Sequence, residues 1–344
     1  MTLKPMLRSI THAVATSVVL CIVNLTIAYL LHVLGFISLP LNKKRDAYEA
    51  QVAEQLVEPS SITDSLDDIG GLTKIKAEIR AQVLLPLKHP KIFFSSTHNI
   101  RPPRGVLLYG PPGTGKTMLA RAIAGEARVP FFALTLATLE SKWYGESSKL
   151  LAATFGLAQK LQPCVLFFDE IDGMIRKRSD LDQNHVYAFK TEFLMHMDGI
   201  GKRTDEAVIV IGCTNCASSL DPAVHRRFPQ QYKIDLPTRT ELGDILALHT
   251  RAGKSLSASG INDVINHMGE GRSGSDIAEL VRAACAVQLQ QALASDAVKT
   301  KLLDGSATPD DLQRLVGSMK RRHLYVALKD KGWYRDTPVA SRQT

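Results

Sequence analysis

The sequence predicts an α/β protein: a doubly wound parallel sheet followed by a small helical domain, with one membrane-spanning helix in front. Three observations carry this. Short apolar runs alternate with helical patterns between residues 106 and 211, as expected for a parallel sheet covered on both faces. From about Thr240 the strand signals stop and only helical patterns follow. Residues 9–42 contain no charged side chain.

The elements follow in chain order. Residues 13–39 are rich in Val, Leu, Ile and Ala, and about 20 apolar residues cross a bilayer. The stretch is longer than a typical secretory apolar core and no Ala-x-Ala site follows it, so it reads as an uncleaved anchor. Asn24, Thr26 and His32 interrupt it; contact with a second membrane helix and local self-satisfaction both stay open for them. Residues 43–58 read as a charged helical linker, broken at Pro59-Ser60-Ser61. A helix is expected over 72–84, ending at Pro86. Strands are expected at 106–109, 131–134, 165–168 and 208–211, with a helix over 118–127. Helices are expected at 242–251, 261–268, 275–294 and 309–319. The resulting division is a tail at 1–12, an anchor at 13–39, a helical linker at 40–63, a large α/β domain at 64–239, a helical domain at 240–325 and a tail at 326–344.

Composition narrows the class. The chain has 344 residues, 45% apolar and 22% charged, which supplies a globular core. The net charge is +8, but the basic residues are dispersed without a long run, so no nucleic-acid partner is expected. The five cysteines are scattered and form no disulfide framework. Cys213-Thr214-Asn215-Cys216 lacks the second pair that zinc needs; it reads as two small buried residues at a strand end, with a redox pair as the alternative.

Gly110-Pro111-Pro112-Gly113-Thr114-Gly115-Lys116-Thr117 has the spacing of a phosphate-binding loop, between a strand and a helix. Its glycines let backbone N–H groups wrap phosphates. Lys116 reaches the β- and γ-phosphates, Thr117 offers a hydroxyl to Mg²⁺, and the helix start adds its positive end. Some fifty residues on, Val165-Leu166-Phe167-Phe168 is followed by Asp169-Glu170. Asp169 is the candidate Mg²⁺ ligand, and Glu170 the candidate base for the attacking water. Asn215, after the 208–211 run, is a candidate sensor of the γ-phosphate or the water. Arg226-Arg227 reads either as a surface pair or as fingers entering a neighbouring copy's site. Lys43, Lys44 and Arg45, after the anchor, and the need for ATP both favour a cytosolic placement.

Over roughly 64–325 the chain resembles the AAA ATPases. The resemblance runs from Asp67-Asp68-Ile69-Gly70-Gly71 through the phosphate loop, Asp169-Glu170, Asn215 and Arg226-Arg227 to Gly271-Arg272-Ser273-Gly274-Ser275-Asp276. It implies ATP contacts from Asp68, Ile69, Gly70, residues Pro112 to Met118, His249, Gly274 and Ser275. It also implies inter-subunit signalling through Asp198-Gly199 and a homo-hexamer. Gln230 departs from the pattern where many relatives carry a second finger, leaving Arg226 and Arg227 as the pair. Within the family the chain is similar to the tail-anchored protein dislocases of the mitochondrial outer membrane and peroxisome, called thorase in animals. The single span before a lone ATPase module and Lys142-Trp143-Tyr144-Gly145, matching their first pore loop, carry this likeness. It implies threading of mislocalised tail-anchored clients through a central pore, gripped by Trp143 and Tyr144. Both organelle membranes stay open. Arg176, Lys177, Arg178 and residues 180–185 read equally as a second pore loop or a solvated loop.

Three rivals compete. A membrane-anchored AAA protease needs His-Glu-x-x-His, and no His here precedes Glu. A microtubule-severing or membrane-scission relative shares the pore loop but carries a separate helical adaptor, for which 43–63 is too short. A catalytically dead scaffold conflicts with intact Lys116, Asp169, Glu170 and Arg227.

Overall fold

The computed structural model describes residues 43–94, 102–135, 138, 147–175, 184–200, 206–250, 256–294 and 319–336. The anchor at 13–39, the pore-loop residues Lys142 to Gly145, residues 176–183 and nearly all of the 309–319 helix lie outside them. Among the described residues no helix is long and apolar enough to cross a membrane.

Six strands form one sheet: β1 (Leu56–Val57), β2 (Gly105–Tyr109), β3 (Phe131–Leu134), β4 (Cys164–Phe168), β5 (Val208–Thr214) and β6 (Gln230–Lys233). Their order is β1-β3-β4-β5-β2-β6. Only β1 is antiparallel, pairing Leu56 with Phe132; the other pairings are parallel. The four strands expected from sequence are all present, because each apolar run is buried on both faces, as in a parallel interior. Val106, Leu108, Val165, Phe167, Ile209 and Ile211 pack with Leu119 and Ile123 of helix Lys116–Ala127. On the other face Phe168 meets Phe155 of helix Ser147–Lys160 and Phe193 of helix Asn184–Ile200, with ring centroids 6.2 and 5.1 Å away.

Three expectations need correction. The 43–58 helix ends at Ala53, and Leu56–Val57 becomes the sheet's edge strand. Pro86 does not end its helix. Thr73–Ile79 runs into a π turn at Arg80–Leu84 and on through Leu85–Lys88. There the Leu85 N–H donates to the Arg80 carbonyl, and this wider turn accommodates a ring that would crowd a regular helix. The tail assigned from residue 326 begins inside helix Arg321–Asp330.

A second core joins helices Arg239–Thr250, Ala258–Asn266, Gly274–Leu293 and Arg321–Asp330 through Leu246, Val264, Ile277, Leu280, Leu324 and Leu328. Behind the last helix the chain doubles back. Gly269 N–H donates to the Trp333 carbonyl at 3.1 Å, and the Arg272 guanidinium lies 4.4 Å from the Trp333 ring centre.

Candidate active site

Because β4, β5 and β2 are parallel neighbours, their carboxyl ends share one edge, where Asp169, Asn215 and Gly110 meet. The loop leaving β2 depends on glycine. Gly110 has φ 147°, and a Cβ there would lie 2.0 Å from the Ile234 carbonyl oxygen. Gly115 has φ 90°, and a Cβ there would meet nothing within 4 Å, so its face of the loop is open. Helix Lys116–Ala127 starts there and directs its unpaired N–H groups at that opening.

Lys116 is 8% exposed and folds over the loop, its Nζ donating to the Gly110 and Pro111 carbonyls at 2.9 and 2.7 Å. Burial lowers its pKa, while the Asp169 and Asp172 carboxylates act against that. Thr117 Oγ1 donates to Asp169 Oδ2 at 2.9 Å. A hydroxyl and a carboxylate side by side are hard oxygen donors of the kind Mg²⁺ accepts, so these residues fit that ion. Glu170 follows, exposed, with φ 50°. Its N–H donates to Asp169 Oδ1 at 3.0 Å. Left-handed backbone at a bulky residue costs about 1–3 kcal/mol.

At the end of β5 the Thr214 hydroxyl, 1% exposed, donates to Asp172 Oδ1 at 2.6 Å and accepts from Cys216 N–H at 2.9 Å. Those two bonds shape the turn that presents the exposed Asn215. Here one expectation fails: Cys213 is buried within β5, but Cys216 lies beyond it and is exposed, since the strand ends at Thr214. Burial raises the Cys213 pKa well above its ordinary value.

Helix Pro222–Arg227 carries the arginine pair. Arg226 is exposed. Arg227 grips Asp198 with Nε and Nη2 at 2.9 and 2.7 Å, and those hydrogen bonds raise its pKa. Asp198 and Gly199 thus stand beside the arginine pair, in the last turn of helix Asn184–Ile200. Gln230 opens β6, opposite Val106.

Gly70 packs against the helix that carries His249. A Cβ at Gly70 would lie 2.5 Å from Ile245 Cγ1, and His249 is one turn beyond Ile245 on the same helix. Ile69 is buried, while Asp68 closes a capping box with Ser65 at 2.9 and 2.7 Å. From the helical side, Ser275 N–H donates to the Gly113 carbonyl at 3.1 Å, and a Cβ on Gly274 would lie 3.4 Å from that same oxygen. Sequence reasoning passed over Asp172, Lys190 and Asp221. Asp172 follows Asp169 by three residues, in the short helix Ile171–Met174 that starts after the left-handed Glu170, and only its bond from Thr214 marks it. Asp221-Pro222 is a visible cap signal. Nothing local marks Lys190.

Residues 106–236 match the model of the ATPase family associated with various cellular activities, AAA. An outer mitochondrial transmembrane helix translocase of Danio rerio is 41% identical over 68% of this chain; the match spans 61% of that relative. Its Homo sapiens counterpart is 37% identical over 81% of this chain and 78% of its own length. The crystal structure of the FIGL-1 AAA domain in complex with ADP superposes with a TM-score of 0.66 at 28% identity, covering 89% of this chain and 95% of that one. On the family match and the relatives at this identity and coverage, the chain belongs to the AAA ATPases, among the outer mitochondrial transmembrane helix translocases.

Proposed function

We propose that this ATPase is anchored by residues 13–39 in the mitochondrial outer membrane, its motor facing the cytosol, and draws tail-anchored proteins out of the bilayer. The peroxisomal membrane is the second site of the same activity. One juxtaposition carries the reading: a charge-free apolar stretch precedes a hydrolytic site in which Thr117, Asp169 and Glu170 are already assembled. The names of the relatives above support the same assignment. Residues 64–239 hold the catalytic machinery, residues 240–325 close over it, and six copies form the ring.

The chemistry assigns each side chain a task. Loop N–H groups and Lys116 bind the β- and γ-phosphates, and Lys116 leaves its two carbonyl partners to do so. Thr117 and Asp169 hold Mg²⁺, which when bound neutralises charge on the phosphates. Glu170 orients the attacking water and takes its proton, while Asn215 fixes the water or the γ-phosphate. Arg226 and Arg227 offset the charge that develops in a neighbouring copy's site. His249, Ile69, Gly70, Gly274 and Ser275 enclose the nucleoside. Pore residues Trp143 and Tyr144 grip an extended chain by apolar contact that tolerates any sequence.

The test is a trap. Glu170→Gln protein isolated from membranes with ATP is expected to retain tail-anchored clients. Retention of soluble partners alone, or of none, replaces extraction with a remodelling activity of the severing or scission kind.

A further inference from the structure

Helix Pro222–Arg227, which bears both arginines, has six residues. A helix this short has little stability of its own, so its direction comes from what holds it. Helix Asn184–Ile200 holds it at both ends. At the start, Asp221 Oδ1 caps the helix by accepting from Ala223 N–H at 2.8 Å, and Oδ2 accepts from Lys190 Nζ at 2.9 Å. At the far end Arg227 closes its two bonds on Asp198. Lys190 precedes Asp198 by about 12 Å of helix axis, and Asp221 precedes Arg227 by about 9 Å. The two ion pairs therefore form parallel rungs between the helices.

The rungs differ in burial. The Lys190 and Asp221 side chains are 9% and 23% exposed, against 26% and 49% for Arg227 and Asp198. An exposed pair exchanges readily with water, whereas breaking a buried pair strands a charge. Arg227 spends Nε and Nη2, one edge of its guanidinium, on Asp198. Turning that edge to a phosphate releases Asp198. The Lys190–Asp221 rung uses none of the atoms involved and stays closed through the exchange.

We propose that Lys190 is a positioning residue for ATP hydrolysis: by clamping the cap residue Asp221, it fixes the direction in which Arg226 and Arg227 are presented to a neighbouring copy's site. The inference rests on the reading of these arginines as fingers shared between copies. Lys190 acts through Asp221 and not on the nucleotide.

Lys190→Met keeps the side-chain stem and removes the ammonium. Its turnover is expected to fall at least about tenfold, short of the roughly 10³-fold loss of a missing finger, with KM for ATP little changed. Lys190→Arg, which restores a cation, recovers part of the rate. Unchanged turnover, or a loss confined to KM, overturns the proposal. Mixed assemblies separate a finger defect from a folding defect. Full-length Lys190→Met is co-expressed with Glu170→Gln, each with its own tag, and purified through both. The Glu170→Gln copies lend intact fingers to Lys190→Met copies whose own Glu170 is intact, so the mixture hydrolyses faster than either form alone. Arg227→Ala mixed with Glu170→Gln is the control. If the control does not recover, the shared-finger reading fails. If the control recovers and Lys190→Met does not, the role of Lys190 fails. Should Lys190→Met not fold, Asp221→Asn, which keeps the cap oxygen and weakens only the rung to Lys190, enters the same mixture with the same expected recovery.

Discussion

Gly110 and Gly115 sit five residues apart in one loop and need glycine for different reasons. At Gly110 an added methyl strikes the Ile234 carbonyl at 2.0 Å, so β2 and the residue after β6 are forced apart. At Gly115 the methyl meets no protein atom within 4 Å and enters open space, the space proposed above to take phosphate. Gly110→Ala is therefore expected to lose about 1–3 kcal/mol or more of stability, visible in the thermal midpoint. Gly115→Ala carries backbone strain alone, so its midpoint falls less, yet nucleotide binding measured by equilibrium titration disappears. Equal loss of stability with binding retained in Gly115→Ala would remove the phosphate role of that face. Glu170 shows the same economy with the opposite residue type: a carboxylate side chain is kept in left-handed backbone, where glycine would be easier.

At the scale of elements, the end of β5 ties the Asp172 carboxylate to the turn that follows the strand. Thr214 bridges Asp172 and the Cys216 N–H, and Asn215 lies between. Thr214→Val keeps the shape and strands both partners. Turnover is expected to fall about tenfold, as for loss of a buried hydrogen bond to a charged group, with nucleotide affinity preserved; a normal rate would show that the turn positions nothing. These elements also show what the sequence discloses. The buried strands were legible because parallel interiors demand continuous apolar runs. β6 was not: Gln230-Gln231-Tyr232-Lys233 lies at the sheet edge, where only Tyr232 is buried. The phosphate loop, Asp169 and Glu170 announced themselves because their spacing is local. Lys190 could not, since its partner is 31 residues away and meets it only after two helices pack. Cys216 was misplaced by one turn because the strand's end is set by the Thr214 hydrogen bonds, not by hydropathy.

At the scale of the whole molecule, the site joins both cores. The phosphate loop belongs to the sheet, and the turn that meets it, Ser273 to Ser275, belongs to the helical core. That turn is backed by Arg272 on Trp333, so the end of the described chain supports the turn that meets the phosphate loop. Under the proposed function, hydrolysis changes the relation between these two cores, and Arg226 and Arg227 carry the change to a neighbouring copy. Movement of a membrane protein is the proposed output of this work. It is tested most directly by reconstituting the full-length protein in liposomes with a labelled tail-anchored client and following the client into the soluble fraction. With ATP the client is expected to leave the membrane at a rate that tracks ATP turnover, and to stay when ATP is replaced by a non-hydrolysable analogue. A client that remains in the bilayer while ATP is consumed at full rate would contradict the claim.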